Sequence, residues 1–361
     1  MIESMRGAEI GIERKKRQGD RKNMTSRDFA KLIGVSQSTV SRAMNNSSLV
    51  PKEKREYIHQ KAEEYGFVLN SQAKSLRTNK TDTIGILFPK HFISMNSNLM
   101  LAHLYDYIQK EMNQYDYDIM VIYYDHESDD FSSFERIIKK RKVDGFIVLR
   151  MELSDSEMKL IEEYQVPCVF MMNASMNIRD NLNYLFSDSY YGGYLAGKYL
   201  GRFADYHKMF ITVREETEDA DRRFNGYYDA LKEYGWEMKQ EDIIYCNLNM
   251  QSAYECVGEN IEKFRGRRTA VFTYSDILGI GVLNALKDFK IRVPEDVQLI
   301  GMDDIPLATW TKPSLSTIHV PVEEMVSRGC RLLMDLIEKK SIFIQEWVKP
   351  HLVIRETTMN D

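Results

Sequence analysis

Apolar positions in the first third of the chain recur at helical spacing and are interrupted by turn residues. Phe29, Ala30, Leu32 and Ile33 form one apolar face, preceded by Thr25 as an N-cap and Asp28 three residues on, an acidic capping box. Gly34 breaks this helix with a tight turn, and Ser36 can cap the next. In that second helix Val40 and Ala43 point inward, while Gln37, Ser38, Thr39, Ser41, Arg42 and Asn45 make an outward polar row. Pro51 to Tyr65 predicts a third helix with Tyr57, Ile58, Ala62 and Tyr65 on one side and Gly66 as its stop. A short helix-compatible segment, Asn70–Leu76, leads into a polar linker.

From Thr83 onward the pattern changes. Short apolar runs at Thr83–Phe88, Asp118–Tyr124, Gly145–Leu149, Cys168–Met171, Met209–Val213, Ala270–Tyr274 and Gln298–Gly301 read as buried strands. Between them lie helical patterns at Leu99–Tyr115, Tyr191–Phe203, Arg223–Tyr234, Ile277–Asp288 and Glu323–Lys339. This alternation predicts βαβ units and parallel sheets covered by helices. Over this length, two lobes with a cleft between them are expected rather than one large sheet.

Two short helices with a glycine turn and a polar outward row on the second are the pattern of a helix-turn-helix that reads DNA. Charge supports it: residues 1–80 hold 17 Lys and Arg against 9 Asp and Glu, a net of +8, although the whole chain carries −5. A basic head on an acidic body suits a DNA-binding module joined to something else. With 43% hydrophobic and 29% charged residues the chain is an ordinary globular protein. No apolar run approaches the ~20 residues that would cross a bilayer, and no signal peptide is expected. Cys168, Cys246, Cys256 and Cys330 are scattered, which predicts free thiols in the cytoplasm. The seven histidines show no metalloprotease spacing, and neither a nucleophile elbow nor a phosphate-binding loop is present. No enzyme activity, cofactor or metal is expected, and the acidic run Asp125–Asp130 reads as a solvated loop.

The ordered motifs resemble the LacI/GalR family of bacterial repressors from Met24 to Thr358. The head carries the resemblance through Ala30, Gly34-Val35-Ser36, Thr39-Val40-Ser41-Arg42 and Asn45, then Asn70, Ala73 and Leu76. The body carries it through Val143-Asp144-Gly145, Asp188 with Gly192-Gly193, and Arg223-Phe224-Asn225-Gly226. It continues through Ser275-Asp276, Val293–Val297, Gly301-Met302-Asp303-Asp304 and Arg355–Thr358. The resemblance implies an all-α helix-turn-helix head plus an α/β two-lobed body like a periplasmic binding protein. The expected divisions are a disordered basic extension (1–23), the DNA-binding domain (24–69), a hinge helix and linker (70–82), and an effector-binding and dimerisation domain (83–361).

It further implies a homodimer on a near-palindromic operator. Gln37 and Ser38 would select the operator, Arg42 would read guanine, and Thr25, Thr39, Ser41 and Asn45 would grip the DNA. Asn70, Ala73 and Leu76 would form the hinge, with Leu76 wedged into the minor groove. Arg223, Ser275 and Asp303 would hold a sugar-like effector, with Asp276 capping the following helix. Two alternatives remain open, control of the body by a partner protein and a stand-alone sugar receptor. Three departures from the family pattern stand out: Leu69 in place of a proline, Lys290 in place of a helix-ending glycine, and the glycine-free segment Arg202–Lys208.

Overall fold

The computed structural model describes residues 24–44, 47, 49–68, 80–89, 99–124, 132–149, 153–172, 181–215 and 217–359. Asn45, Leu69, Asn70, Ala73, Leu76 and the acidic run 125–130 lie outside them. The chain divides into two compact units, the first ending at Thr81 and the second beginning at Asp82.

Among the described residues the first unit holds three helices: α1 (Ser26–Leu32), α2 (Gln37–Met44) and α3 (Lys52–Tyr65). The capping box closes as the spacing requires: the Asp28 amide donates to Thr25 Oγ1 at 3.2 Å, and the Thr25 amide donates to the Asp28 carboxylate at 3.3 Å. Gly34 takes φ of +71°, a turn conformation that costs a residue with a Cβ about 1–2 kcal/mol. Ser36 caps α2 through the Thr39 amide at 3.1 Å. Phe29, Ala30, Val40, Ala43, Val50, Ile58, Ala62 and Phe67 fill the core, with Phe29 and Phe67 stacked at 4.2 Å. Two expected core positions are exposed instead. Leu32 falls in the last turn of α1, and Tyr57 turns outward because Ile58 takes the inward position beside it.

The second unit is two six-stranded sheets. In chain order its elements are β1 (Thr83–Pro89), α4 (Leu99–Gln114), β2 (Asp118–Tyr124), α5 (Ser132–Lys139), β3 (Gly145–Val148), α6 (Asp155–Glu163), β4 (Cys168–Met172), β5 (Tyr184–Ser187), α7 (Ser189–Gly201), β6 (His207–Val213), α8 (Glu218–Lys232), β7 (Ile243–Cys246), α9 (Met250–Glu259), β8 (Thr269–Thr273), α10 (Asp276–Asp288), β9 (Val297–Asp303), α11 (Pro306–Trp310), β10 (Ser316–His319), α12 (Val322–Ile337), β11 (Gln345–Val348) and β12 (His351–Val353). The first sheet runs β11-β5-β4-β3-β1-β2 and the second β12-β10-β9-β8-β6-β7. All the pairings are parallel except β10 with β12.

The unbroken apolar runs follow from burial on both faces. In β1, Ile84 and Ile86 join the cluster with Leu104 and Ile108 of α4 and Val326 and Leu333 of α12. Leu87 faces the other way, toward Phe134 and Ile137 of α5 and Met158 of α6. The chain passes between lobes three times: after β5, between β10 and α12, and between β11 and β12.

Two of the departures from the family pattern have local solutions. Lys290 is exposed and adopts φ of +58°, so it keeps the left-handed conformation without glycine. In the glycine-free turn after α7, the buried Lys208 ammonium donates to the carbonyls of Phe203 and Tyr206, both at 2.5 Å. That cation satisfies carbonyl groups beyond the helix end, where positive charge is favoured. Burial lowers the Lys208 pKa to about 8.

Candidate functional site

In the head, the face of α2 opposite the core presents Gln37, Ser38 and Arg42 to solvent, with Thr39 and Ser41 half-buried at its edges. Gln37 Nε2 donates to Ser26 Oγ at 3.1 Å, so its amide is positioned across the turn by α1. Ser38 Oγ lies 2.8 Å from Ser36 Oγ. Thr25 Oγ1 donates to the Asp28 carboxylate at 2.5 Å, and these bonds from Thr25 hold Asp28 below its usual pKa. Arg42 extends from the last turn of α2 with its guanidinium exposed. A fork of five donors on a rigid, solvent-facing helix suits the two acceptors of guanine in the major groove.

In the body, α8 begins five residues before the sequence pattern indicated, capped by Thr217 through the Ala220 amide at 3.2 Å. This earlier start puts Asp219 one turn before Arg223 on the same helix face. Both are buried, and Arg223 Nη2 meets Asp219 Oδ2 at 2.8 Å. Sequence reasoning missed Asp219. The spacing of four residues between an acid and an arginine was its available signal.

Asp219 is held from two further sides: Ser189 Oγ donates to its Oδ1, and Tyr274 OH to its Oδ2 at 3.1 Å. Arg223 Nη1 donates to the Tyr274 carbonyl, and the guanidinium lies 4.2 Å from the centre of the Tyr274 ring.

Asp303, the last residue of β9, approaches the same guanidinium only to 3.9 Å. The expected facing pair is thus present, but Asp219 is the close partner of Arg223. Asp303 Oδ1 is buried and has no hydrogen-bond partner. The backbone is strained here: Asp303 has φ of +120° and Asp304 of +60°. Burial pushes the Asp303 carboxyl up to about 7, against the pull of Arg223.

Behind it, burial and the Asp303 charge raise Asp276 well above the usual carboxylate range. Asp276 does not cap α10, contrary to expectation. Ser275 does so, its Oγ accepting from the Leu278 amide at 3.4 Å. Asp276, at the first helical position, accepts instead from the Ile305 amide at 2.9 Å and Thr317 Oγ1 at 2.5 Å. Its carboxylate therefore ties α10 to β10 and to the turn after β9. Ser275 is buried and its hydroxyl is engaged in the cap.

Asp303 also lines a cavity of about 280 Å³. His103 and Tyr107 of α4 form the wall from the first lobe. Asp304, His319 and the crossover that enters α12 form the other. Asp304 is fixed between His319 Nδ1 at 2.8 Å and Arg355 Nη2 at 2.5 Å.

Asp303 makes the stability of the body depend on pH. Its folded pKa lies above the unfolded value near 3.9, so the folded body holds an extra proton between about pH 4 and about pH 7. Stability from this group is present below that window and is lost as pH rises through it. Urea midpoints should therefore fall from about pH 5 to about pH 8, and Asp303→Asn should flatten that slope. A variant slope equal to that of the parent would contradict the assignment.

A helix-turn-helix with an exposed polar second helix, carried in one chain with a two-lobed α/β body, defines a DNA-binding regulator with a periplasmic-binding-protein-like domain. Comparison with known proteins agrees. Residues 25–70 match the model of bacterial regulatory proteins of the lacI family, and residues 205–358 match that of a periplasmic binding protein-like domain. The chain therefore carries a DNA-binding head of the LacI family on a periplasmic-binding-protein-like body and is a DNA-binding transcriptional regulator.

Among its relatives, the transcriptional repressor PurR of Vibrio vulnificus is 27% identical over 339 residues, covering 92% of this chain and 98% of PurR. The regulator RegA of Clostridium saccharobutylicum is 29% identical over 341 residues, with the same coverage. The fold is shared with the lac repressor dimer bound to operator and an anti-inducer (TM-score 0.78, 19% identity, 93% of this chain and 99% of that one). It is shared also with a CelR–cellobiose complex (TM-score 0.69, 24% identity, 93% and 100%). Among the described residues no helix is long and apolar enough to cross a membrane.

Proposed function

We propose that this chain is a repressor that binds a near-palindromic operator as a homodimer in the cytoplasm and is controlled by a small sugar-like effector clamped between its lobes. In this reading Gln37 and Ser38 select bases, Arg42 reads guanine, and Thr25, Thr39, Ser41 and Asn45 hold the backbone and set register. Asn70, Ala73 and Leu76 act as the hinge that enters the minor groove. Asp303 takes the effector, Arg223 braces the site from behind it, and Ser275 supports them by fixing the start of α10.

The observation that carries the reading is the buried Asp303 oxygen without a hydrogen-bond partner beside an interlobe cavity. An unsatisfied buried acceptor costs free energy, which a hydroxyl donor from a ligand would recover. A ligand touching both lobes favours one lobe angle over another, and that preference is the only means by which it can bias the heads.

The experiment is an operator titration by gel shift with and without candidate sugars, run on the parent chain and on Arg42→Ala. Arg42 is exposed, so the head should keep its fold. Loss of one bidentate contact of about 1–3 kcal/mol per head should weaken operator binding roughly tenfold or more. Discrimination at the guanine it reads should fall as well. Unchanged affinity and specificity in Arg42→Ala would remove Arg42 from the reading. If no sugar moves the parent's operator affinity but a phosphocarrier protein does, control belongs to a partner protein.

A further inference from the structure

The charges around Arg223 do not balance. The guanidinium has its Nη2 on Asp219 at 2.8 Å, its Nη1 on the Tyr274 carbonyl and one face over the Tyr274 ring. It is therefore already committed and poorly placed to receive an anion. Asp303, whose side chain is 9% exposed, stands 3.9 Å away with Oδ1 lacking a hydrogen-bond partner, and Asp276 is buried behind it. One arginine thus faces more than one carboxylate.

The adjoining cavity does not correct the imbalance. Among the described residues that line it there is no lysine or arginine, while Asp303, Asp304, Glu323 and Glu324 all contribute. Asp304 is matched by Arg355, Glu323 by Lys110 at 3.7 Å and Glu324 by Arg328 at 3.2 Å. Asp303 is left to share Arg223, 3.9 Å away, with the closer Asp219.

We propose that the effector carries an amine on a hydroxyl-rich frame, with its ammonium seated against Asp303. The proposal rests on the reading of the interlobe cleft as the effector site. A neutral hydroxyl would satisfy the Asp303 oxygen but leave its charge buried, whereas an ammonium supplies both donor and countercharge. A phosphate or carboxylate would meet carboxylates with the nearest guanidinium already engaged. The cavity volume of about 280 Å³ suits a single sugar ring rather than an oligosaccharide.

The test is titration calorimetry on the full chain with matched ligands: D-glucosamine and D-galactosamine, their N-acetyl forms, the parent hexoses and the hexose 6-phosphates. The amines should bind at least tenfold more tightly than the N-acetyl and phosphorylated forms, a difference of about 1.4 kcal/mol. Asp303→Asn should erase that preference while keeping a cooperative melting transition. The N-acetyl comparison needs no variant, so it stands even if Asp303→Asn does not fold. If hexoses or phosphates bind as tightly as the amines, the charge assignment is overturned and the effector reading survives. If no ligand in any arm binds, both are overturned.

Discussion

Replacing Arg223 by methionine is expected to destabilise the body by about 3–5 kcal/mol, the usual cost of removing one partner of a buried ion pair. The side chain is 4% exposed and holds Asp219 in place, so its loss leaves a buried carboxylate without its countercharge. Ser189 and Tyr274 still donate to Asp219, which places the expected loss toward the lower end. Asp303 loses the guanidinium 3.9 Å away and should take up a proton more readily. Urea unfolding at neutral pH measures the first effect. The double variant Arg223→Met, Asp219→Asn should recover part of the loss, because the uncompensated charge goes with the carboxylate. A single variant as stable as the parent would show that the Arg223–Asp219 pair does not hold the body together.

The second large effect concerns Gly226. It lies on α8 where that helix crosses α7, and a Cβ there would run into the Tyr190 carbonyl oxygen. Gly193 meets the Arg223 carbonyl in the same way from the opposite helix, and Gly197 meets Tyr227. Both partners are backbone, so no side-chain rotation relieves the clash, and α7 and α8 must separate. Gly226→Ala should therefore cost more than the usual 1–3 kcal/mol of an overpacked site. Because α7 carries Ser189 and α8 carries Asp219 and Arg223, it should also weaken ligand binding. Thermal melting and calorimetry together test this. A folded variant with parental ligand affinity would mean that the helix crossing does not set the geometry of the site.

The parts legible in the sequence were those with a strong period or a strong stop. The buried runs of β1, β6 and β9 stand out because both faces are covered, and the head stands out because Thr25, Gly34, Ser36 and Gly66 punctuate it. The edge strands β7, β11 and β12 were not legible: they have three or four residues each, mix polar with apolar positions and are held by neighbours distant in sequence. α6 had a readable start, since Ser154 and Glu157 form a capping box, with the Ser154 amide donating to Glu157 at 2.7 Å. The site was half legible. Arg223 and Asp303 follow from the family resemblance, but Asp219 required knowing that α8 starts at Glu218. The roles of Ser275 and Asp276 turned on one residue of helix phase, since only the residue just outside the helix can cap it.

The crossings between lobes bear on how this protein is made. Met325, Val326, Cys330 and Leu333 of α12 sit in the core beneath β1, β3 and β4, although they follow the second lobe in sequence. Gly145 of β3 lies against Leu333, and Gly329 of α12 against Met171 of β4. A ribosome that has finished β5 has therefore released most of the first sheet without the helix that covers one of its faces. That sheet must wait, with Ile84, Ile147 and Val169 incompletely shielded, until nearly the whole chain has emerged. The second lobe has its helices α7 to α11 and its inner strands before then. The lobe that begins first is the one that closes last, and the unfinished interval is where a chaperone would find its apolar surface.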